Sequence, residues 1–434
     1  MQIGKSIGTA LAWIAGLVFV LAGIHNNDPY LVMLRGTGNL VLAVTSIVVV
    51  LLLLRGCCWR ESRRAGKLLV ALWCLPPIAL LASHATSELR KQGVLRTEPA
   101  RARLLGQHFI VGYSSFDEVA RLAEAGLIGG IYVTRHNAAG RTGAALKGEI
   151  AALQDKRRVA GLPPLIVAAD QEGGIVSHLA PPLAKLPALA SLTDLAPDQQ
   201  RAKAEEFGRI HGQELAWLGV NLNFAPVLDL RPGARRNRFD FNTLISQRAI
   251  SDDPIKVGTI ANAYIHGLEA SGVAATVKHF PGLGRVRADT HHFNADLDTP
   301  VDELEAADWR PFREVLSTTD ARLMVGHVAV SALDPGRPAS HSKVVIDGLI
   351  RKTWHYQGIV VTDDLVMGAI YQHDVCTAVV EALNAGADFL LVAYDGAQFY
   401  RLFACASEAA DRDVLDRGML HESEARLKRA LAID

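Results

Sequence analysis

The sequence predicts an α/β protein, a (β/α)8 TIM barrel preceded by an N-terminal transmembrane helical region. Three observations predict it: apolar runs at the N-terminus, alternating short apolar and helical segments after them, and ionisable residues that follow the short segments. Half of the 434 residues are hydrophobic, and 45 Lys and Arg balance 45 Asp and Glu. This neutral charge argues against a nucleic-acid-binding protein, which would usually carry a basic surplus.

The apolar runs cover residues 7–24, 40–54 and 68–82. A helix needs about 20 apolar residues to cross the hydrocarbon core, so the first two runs qualify once their flanks are included. The third run is borderline, because it is shorter and contains Pro76 and Pro77. Three runs in succession predict two or three transmembrane helices in residues 1–85, and argue against a cleaved signal peptide.

Basic residues in short loops predict the orientation of these helices. The segment after the second run is basic, with Arg55, Arg60, Arg63, Arg64 and Lys67. This charge, together with Lys5, favours the cytoplasm for that segment and for the N-terminus, so a third crossing would place the main domain outside. Arg90 and Lys91 follow the third run, so charge does not discriminate its ends. If that run does not cross, the main domain is cytoplasmic.

From residue 105 onward, the pattern predicts eight parallel strands. The candidate strands are 109–113, 129–133, 165–169, 222–227, 274–278, 323–328, 359–362 and 389–392. Segments with helical periodicity lie between them, including 199–218, 254–270, 344–356 and 375–386. Eight such units predict a barrel over residues 105–434, with 86–104 as a linker. A doubly wound sheet is the structural alternative, but no glycine-rich dinucleotide turn follows the first strand.

The five cysteines suggest neither a disulfide framework nor a zinc site, since only Cys57 and Cys58 are close together. The histidines also lack the spacing of metal ligands. The sequence therefore predicts no metal and no cofactor.

Ionisable residues follow five of the eight predicted strands, where the active site of a (β/α)8 barrel lies. They are Asp170 and Glu172 after the third strand, Asp229 after the fourth, Lys278 and His279 at the fifth, His327 at the sixth, and Asp363 and Asp364 at the seventh. Each could be a solvated loop charge or a cap, but together they predict a polar pocket at one mouth.

The stretch from Lys278 to His291 is the most informative. Lys278 and His279 could donate hydrogen bonds to sugar hydroxyls, and the P-G-L-G that soon follows turns the chain into a loop. Asp289 and His291 are two residues apart, so in extended backbone their side chains could hydrogen-bond. A carboxylate partner fixes the tautomer of an imidazole and raises its pKa, which suits proton transfer near neutral pH. Alone, Asp-x-His is a weak signal.

Four motifs in barrel order resemble glycoside hydrolase family 3, specifically its single-domain bacterial β-N-acetylhexosaminidase branch. They are DQEGG at 170–174, KHFPG at 278–282, DTH at 289–291 and VTDDLVM at 361–367. The resemblance covers roughly residues 105–395 and leaves out the first 100.

The resemblance implies a role for each matching position. Asp363 matches the catalytic nucleophile, and His291 matches the general acid/base, with Asp289 as its partner. The positions that hold a terminal N-acetylglucosamine match Asp170, Arg248, Lys278 and His279. Retaining glycoside hydrolysis needs a carboxylate that forms a glycosyl-enzyme and a second group that protonates the leaving oxygen. An Asp–His pair would do the same proton transfer as the usual carboxylic acid.

The chain departs from the family pattern near the predicted sugar site. The family usually has two arginines after the double glycine, where this chain has Ile175 and His178, and a histidine in place of Leu283. His178 could still donate a hydrogen bond, without the fixed fork of an arginine. Related β-glucosidases take an acid/base Glu from a second domain; this chain ends about 40 residues past the eighth strand, which favours a loop histidine.

Several residue roles stay open on the sequence alone. Asp364 is expected to cap the following turn, and His292 is the main rival of His291 as proton donor. Glu172 precedes two glycines and is interpreted as serving the turn. His327 could equally be a wall of the pocket or a sugar contact.

The sequence and the resemblance together predict a membrane-anchored, retaining exo-β-N-acetylglucosaminidase acting on peptidoglycan fragments or related glycans. Its partners would be this carbohydrate and membrane lipid. It would be located in a bacterial cytoplasmic membrane, with the catalytic domain outside. A phosphorylase is one alternative, because a histidine in place of a carboxylic acid would let phosphate attack the glycosyl-enzyme. The altered positions 175, 178 and 283 suggest another, a non-catalytic glycan sensor.

Overall fold

The protein is described from a computed structural model. The structure describes residues 2–55, 64–233, 243–286, 289–290, 292, 295–371 and 374–431. The chain divides into two compact units, Met1–Arg96 and Thr97–Asp434.

Three long helices make up most of the first unit. They are Gln2–Ile24, Thr37–Arg55 and Ala65–Leu95, with a 3-10 helix at Pro29–Leu34. All three are long and apolar enough to cross a membrane, judged by length and composition. The third run, borderline in sequence, lies inside the longest helix, which contains Pro76 and Pro77. Because that helix continues to Leu95, much of the predicted linker 86–104 is helical.

The helices of the first unit pack closely through Trp73. Its indole Nε1 donates a hydrogen bond to the carbonyl oxygen of Ala12 at 3.0 Å, and its ring lies 5.2 Å from that of Phe19. A Cβ at Gly16 would lie 2.7 Å from Leu72 Cδ2. The absence of a side chain at Gly16 therefore permits the close approach of two apolar helices, as small residues do between membrane helices.

Eight parallel strands close into a barrel in the second unit. They are β1 Phe109–Gly112, β2 Gly130–Val133, β3 Ile166–Ala169, β4 Leu222–Asn223, β5 Ala274–Phe280, β6 Arg322–Val325, β7 Val360–Asp364 and β8 Phe389–Val392. Each strand pairs with the next along the chain, and β1 pairs with β8, which closes the barrel. The (β/α)8 prediction is confirmed, and every predicted strand overlaps an observed one.

Helices connect the strands and continue to the end of the unit. The α-helices are Pro99–Gly106, Phe116–Glu124, Arg135–Ala138, Gly143–Val159, Pro197–Leu218, Ile245–Arg248, Pro254–Glu269, Val301–Ala306, Arg310–Thr318, Gly368–Tyr371, Val375–Ala385, Phe399–Asp411 and Arg417–Ala430. Short 3-10 helices are formed by Leu189–Leu192, Ala339–His341 and Gly396–Gln398, and Val344–Thr353 is a π-helix. Short strands outside the barrel are Gln171–Gly173, Val176–Ser177, Ala295–Leu297 and Val328–Val330.

Strand β4 is shorter than the predicted 222–227. Regular pairing ends at Asn223, and contact resumes as an isolated parallel bridge between Val227 and Lys278. Pro226 lies between them and has no N–H to donate to a neighbouring strand, which accounts for the interruption.

The inside of the barrel is a packed core. Side chains at alternate strand positions point inward. They include Ile110, Tyr132, Ile166, Ala168, Leu222, Met324, Val361 and Leu391. Leu427 of the last helix packs against the same cluster. A filled interior leaves the carboxyl ends of the strands as the place for a ligand.

A disulfide bond joins two outer helices of the barrel unit. Cys376, in Val375–Ala385, and Cys405, in Phe399–Asp411, are bonded across a sequence separation of 29, with Cα atoms 5.2 Å apart. The prediction that the cysteines form no disulfide framework was wrong for this pair. Their spacing carried no signal, because only the packing of the two helices brings them together.

Candidate active site

Asp170, at the carboxyl end of β3, connects three strands. Its carboxylate accepts hydrogen bonds from the Lys278 ammonium on β5 and from the Tyr132 hydroxyl on β2. The Lys278 side chain is only 3% exposed. Burial acts to raise the pKa of Asp170, but the Lys278 ammonium outweighs it and holds that pKa well below its usual range. Asp170 is therefore a carboxylate at any physiological pH.

Glu172 is the shared partner of two cations. The Arg248 guanidinium donates to both of its oxygens, from Nη2 at 2.6 Å and from Nε at 3.0 Å. Lys278 Nζ lies 2.6 Å from Glu172 Oε1. Burial would raise the pKa of Glu172, but Arg248 and Lys278 lower it. The interpretation that Glu172 serves the turn is thus corrected: its carboxylate fixes both predicted sugar-binding cations, as bidentate pairing does.

His279 lies between an acceptor and a donor. Its Nδ1 is 2.6 Å from Asp229 Oδ2, and its Nε2 is 3.3 Å from Arg248 Nη2. A guanidinium only donates, so Nε2 accepts and the ring proton on Nδ1 goes to Asp229. Asp229 is fully buried and also accepts from the backbone N–H of Leu283 at 2.7 Å. The ring of His279 is therefore held in one tautomer.

Thr243 links this network to Asp289. Its carbonyl oxygen accepts from Arg248 Nη1 at 2.9 Å, and its hydroxyl donates to Asp289 Oδ1 at 3.1 Å. Asp289 is 1% exposed. The predicted acid/base His291 lies outside the described residues. His292 is described: its side chain is exposed, and its backbone N–H donates to the carbonyl oxygen of Asp289 at 3.0 Å.

Asp363 and Asp364, at the end of β7, have different environments. The buried Asp364 carboxylate accepts backbone hydrogen bonds from Val366 at 3.1 Å, Ala393 at 2.9 Å and Tyr394 at 2.8 Å. Burial raises the pKa of Asp364 to about 6, although these bonds act to lower it. Asp363 is half-buried and accepts the N–H of Asp364 at 2.8 Å. Asp364 thus caps the turn, as expected, and Asp363 is the more accessible carboxylate.

His327 supports the backbone beside these aspartates. Its Nε2 lies 2.9 Å from the carbonyl oxygen of Asp364, and its Nδ1 lies 2.7 Å from the Ser340 hydroxyl. Both ring nitrogens are engaged within the protein and the residue is 1% exposed. Of the two open interpretations, this geometry favours the wall of the pocket.

His178 lies beside Asp170. Its Nδ1 is 3.1 Å from the Tyr132 hydroxyl, and its backbone N–H donates to the carbonyl oxygen of Asp170 at 3.0 Å. The side chain of Ile175 is 42% exposed. Of these two altered positions, only His178 makes a polar contact with the network.

The site therefore contains a continuous hydrogen-bonded network, together with the Asp363 carboxylate at the end of β7. The network consists of Asp170, Lys278, Glu172, Arg248, His279, Asp229, Thr243 and Asp289, with Tyr132 and His178 at one end. Sequence reasoning missed Tyr132 and Thr243. Tyr132 reads as an ordinary core residue in a strand, and Thr243 follows no strand, so neither carried a signal.

This arrangement suits a ligand with many hydroxyl groups. Donors and acceptors are held in place along the network, and the Lys278 and Arg248 cations are paired with the Asp170 and Glu172 carboxylates. A neutral polyol can therefore exchange hydrogen bonds with these groups without leaving a buried cation unpaired. Among the described residues, no group of three or more His, Cys, Asp or Glu is placed to hold a metal ion.

The barrel and its polar carboxyl-terminal mouth define a (β/α)8-barrel enzyme. The glycosyl hydrolase family 3 N-terminal domain matches residues 103–430. The chain belongs to this family and is a glycoside hydrolase, which confirms the predicted resemblance.

The chain is similar to several proteins of known name. The β-hexosaminidase of Actinobacillus succinogenes is 35% identical over 290 residues, which cover 65% of this chain and 78% of that protein. A glycoside hydrolase family 3 β-N-acetylglucosaminidase from Paenibacillus sp. str. FPU-7 has a TM-score of 0.68 at 31% identity, over 76% of this chain. This chain spans 62% of the Paenibacillus one. A glycosyl hydrolase of the family from Mycobacterium smegmatis has a TM-score of 0.67 at 31% identity, with 77% and 98% of the two chains covered.

Proposed function

We propose that the protein is a retaining exo-β-N-acetylhexosaminidase that releases terminal N-acetylglucosamine from glycans. The observation that carries the proposal is the charge-paired network at the mouth of a family 3 barrel, beside the half-buried Asp363. The names of the Actinobacillus and Paenibacillus relatives support the choice of sugar.

Asp363 is proposed as the nucleophile. It is the penultimate residue of β7, is half-buried, and accepts the backbone N–H of Asp364, an arrangement that orients its carboxylate. Attack on the anomeric carbon would form a glycosyl-enzyme ester, which water would then hydrolyse with retention of configuration.

His291 is proposed as the general acid/base, with Asp289 as its orienting partner. Asp289 is buried and held by the Thr243 hydroxyl. A fixed carboxylate two residues away could set the tautomer of the imidazole and raise its pKa, so that it protonates the leaving oxygen and then deprotonates water.

The terminal sugar is proposed to bind Asp170, Lys278, Arg248, His279 and His178. Lys278 and Arg248 are locked on Glu172, and His279 on Asp229. Side chains held in this way lose little conformational entropy when the sugar binds, which favours affinity and orientation.

We also propose that the enzyme is anchored in a bacterial cytoplasmic membrane with its barrel outside. Three apolar helices support anchoring. The Cys376–Cys405 disulfide supports the outer location, because such bonds persist in oxidising compartments. Peptidoglycan fragments or related N-acetylglucosamine-capped glycans would then be the accessible substrates.

The test is hydrolysis of p-nitrophenyl N-acetyl-β-glucosaminide by the full chain in detergent, beside the β-glucoside and the N-acetyl-α-glucosaminide. We expect p-nitrophenol release from the first substrate in large preference to the others. No release from it contradicts the proposal. Added phosphate tests the phosphorylase alternative, because only a phosphorylase would be accelerated and yield the sugar 1-phosphate.

A further inference from the structure

Tyr132 is an inward-facing residue of β2 with its hydroxyl at the mouth of the barrel. Its ring stacks on that of Phe224 in the core, at 5.8 Å and an interplanar angle of 27°. The hydroxyl donates to Asp170 Oδ2 and lies 3.1 Å from His178 Nδ1. Burial, together with the charge of Asp170, raises the pKa of Tyr132 well above its usual value. The phenol therefore keeps its proton.

The position of that proton determines the tautomer of His178. A phenol has one proton, and the Asp170 carboxylate can only accept, so the Tyr132 proton lies on the side of Asp170. The Tyr132 oxygen must then accept from His178, which requires a proton on Nδ1. Burial lowers the pKa of His178, so the ring is neutral at neutral pH. A neutral imidazole with its proton on Nδ1 has an acceptor lone pair on Nε2.

The Nε2 atom of His178 is available to a ligand. It makes no hydrogen bond within the part of the chain that the structure describes, and it is not among the enclosed polar atoms. His178 is half-buried, and its backbone is held by the carbonyl oxygen of Asp170. Two acceptors, a carboxylate and an imidazole nitrogen, thus lie side by side at the mouth.

We infer that Tyr132 is a positioning residue that orients His178, and that His178 Nε2 determines specificity by accepting the hydrogen of a free sugar hydroxyl next to Asp170. This inference rests on the proposed function. It implies that the enzyme requires an unsubstituted hydroxyl at that position. A sugar that is acylated, extended or deoxygenated there would leave Nε2 without a donor, and so would be discriminated against.

The kinetic test pairs variants with modified substrates, using the full chain in detergent. The variants are His178→Asn, His178→Gln and Tyr132→Phe. The substrates are p-nitrophenyl N-acetyl-β-glucosaminide and its 3-, 4- and 6-deoxy analogues. The Gln amide oxygen can reach the place of Nε2, whereas the shorter Asn cannot, so Gln is the matched conservative variant.

We expect His178→Asn to lower kcat/KM on the parent sugar about tenfold, mainly by raising KM, because one hydrogen bond to the sugar is lost. His178→Gln should recover part of it. On one deoxy analogue, kcat/KM should be the same for the wild type and His178→Asn, because that sugar lacks the hydroxyl that donates to His178 Nε2. Tyr132→Phe should reduce the discrimination between this analogue and the parent, although its ring still stacks on Phe224. Equal penalties of His178→Asn on all four substrates would overturn the inference.

A second measurement does not depend on turnover. In the full chain labelled with 15N-histidine, the His178 signals are assigned by their loss in His178→Asn. We expect a neutral ring protonated on Nδ1 at pH 7, and a shift away from this tautomer in Tyr132→Phe. A proton on Nε2 in the wild type would overturn the inference, even in an active enzyme. Conversely, absence of turnover with the expected tautomer would overturn the proposed function alone.

Discussion

Asp363 and Asp364 are adjacent carboxylates whose contacts predict opposite mutational effects. Asp363→Asn should lower kcat by more than about 100-fold with little change in the melting temperature, because the variant loses the proposed nucleophile while its isosteric amide keeps an oxygen that can accept the Asp364 N–H. Asp364→Asn should lower the melting temperature, since a single amide oxygen cannot accept all three backbone hydrogen bonds. Rates with the p-nitrophenyl glycoside and thermal unfolding of both variants measure these effects.

The pair serves as its own control. Proper folding of Asp363→Asn is checked by its melting temperature, and a nearly full rate in that variant would exclude Asp363 as the nucleophile. Unchanged stability of Asp364→Asn would exclude the capping role of the Asp364 side chain.

Glu269 predicts a pH dependence of stability. Burial, with the nearby Asp320, raises its pKa to about 7, and its Oε1 is buried with no hydrogen-bond partner in the described part of the chain. The unfolded value is near 4.3. The folded state thus prefers protonated Glu269. The contribution of this proton to the free energy of unfolding is lost as the pH rises from about 4.5 to about 7. Glu269→Gln should therefore gain melting temperature over the wild type as the pH rises from 5 to 8.

Thermal unfolding of both proteins across this pH range gives the comparison. A difference in melting temperature that stays constant from pH 5 to pH 8 would show that Glu269 does not titrate with a raised pKa.

The positions of the site residues were predictable where a motif carried them. Asp170, Lys278 and Asp363 lie at the carboxyl ends of strands within recognisable runs, so their types and spacing indicated where they would lie. Glu172 was misread because its neighbours in sequence are glycines, while its partners, Arg248 and Lys278, come from other parts of the barrel. Tyr132 was missed because a tyrosine in a strand is usually explained by packing in the hydrophobic core alone.

At the scale of elements, Asp388 joins three parts of the barrel unit just before β8. Its Oδ2 accepts from Arg351 Nη2 on the π-helix at 2.7 Å and from the Val360 N–H at 2.8 Å. Its Oδ1 accepts from Arg426 Nε on the last helix at 2.8 Å. Asp388→Ala would leave two buried guanidinium groups without their shared partner. We expect the free energy of unfolding to fall by about 3–5 kcal/mol in denaturant titrations.

A matched surface carboxylate provides the control for Asp388. Asp155 pairs with Arg158 at 3.1 Å within the helix Gly143–Val159, with both side chains largely exposed. Asp155→Ala should change stability little, because exposed pairs contribute little in water. Similar losses in the two variants would mean that the buried network does not stabilise the junction.

Most element types followed from local pattern, but some boundaries did not. Apolar runs and helical periodicity predicted each barrel strand and four of the helices. The early end of β4 depends on Pro226, and the 344–356 segment forms a π-helix, Val344–Thr353, instead of a regular α-helix. In that segment Asp388 holds Arg351 in place, a constraint that comes from a distant part of the chain.

At the scale of the whole molecule, the disulfide constrains the unfolded chain. Closing a loop of 29 residues should stabilise the barrel unit by about 3–4 kcal/mol on the chain-entropy estimate. The Cys376→Ser/Cys405→Ser double variant should therefore unfold at a lower temperature than the wild type. A reductant should lower the melting temperature of the wild type by a similar amount. Cys74→Ser, at a free cysteine, is the control. No difference between the double variant and the control would contradict a stabilising bond.

The direction of insertion predicts where fused reporters work. With the N-terminus and the basic segment near residue 64 cytoplasmic, alkaline phosphatase fused after residue 90 should be active, and β-lactamase there should protect cells. Phosphatase fused after residue 64 should be inactive. The reverse pattern would place the barrel in the cytoplasm, where the disulfide would not be expected to persist.

The sequence by itself determined the barrel, the apolar N-terminal helices and the chemical types at the strand ends, because these are local patterns that repeat along the chain. Only the tertiary structure decided which side chains pair. Glu172 lies 76 positions from Arg248, and Cys376 lies 29 from Cys405. Closure of the sheet and packing of the outer helices bring these groups together in space. Their spacing along the chain does not indicate that they are close.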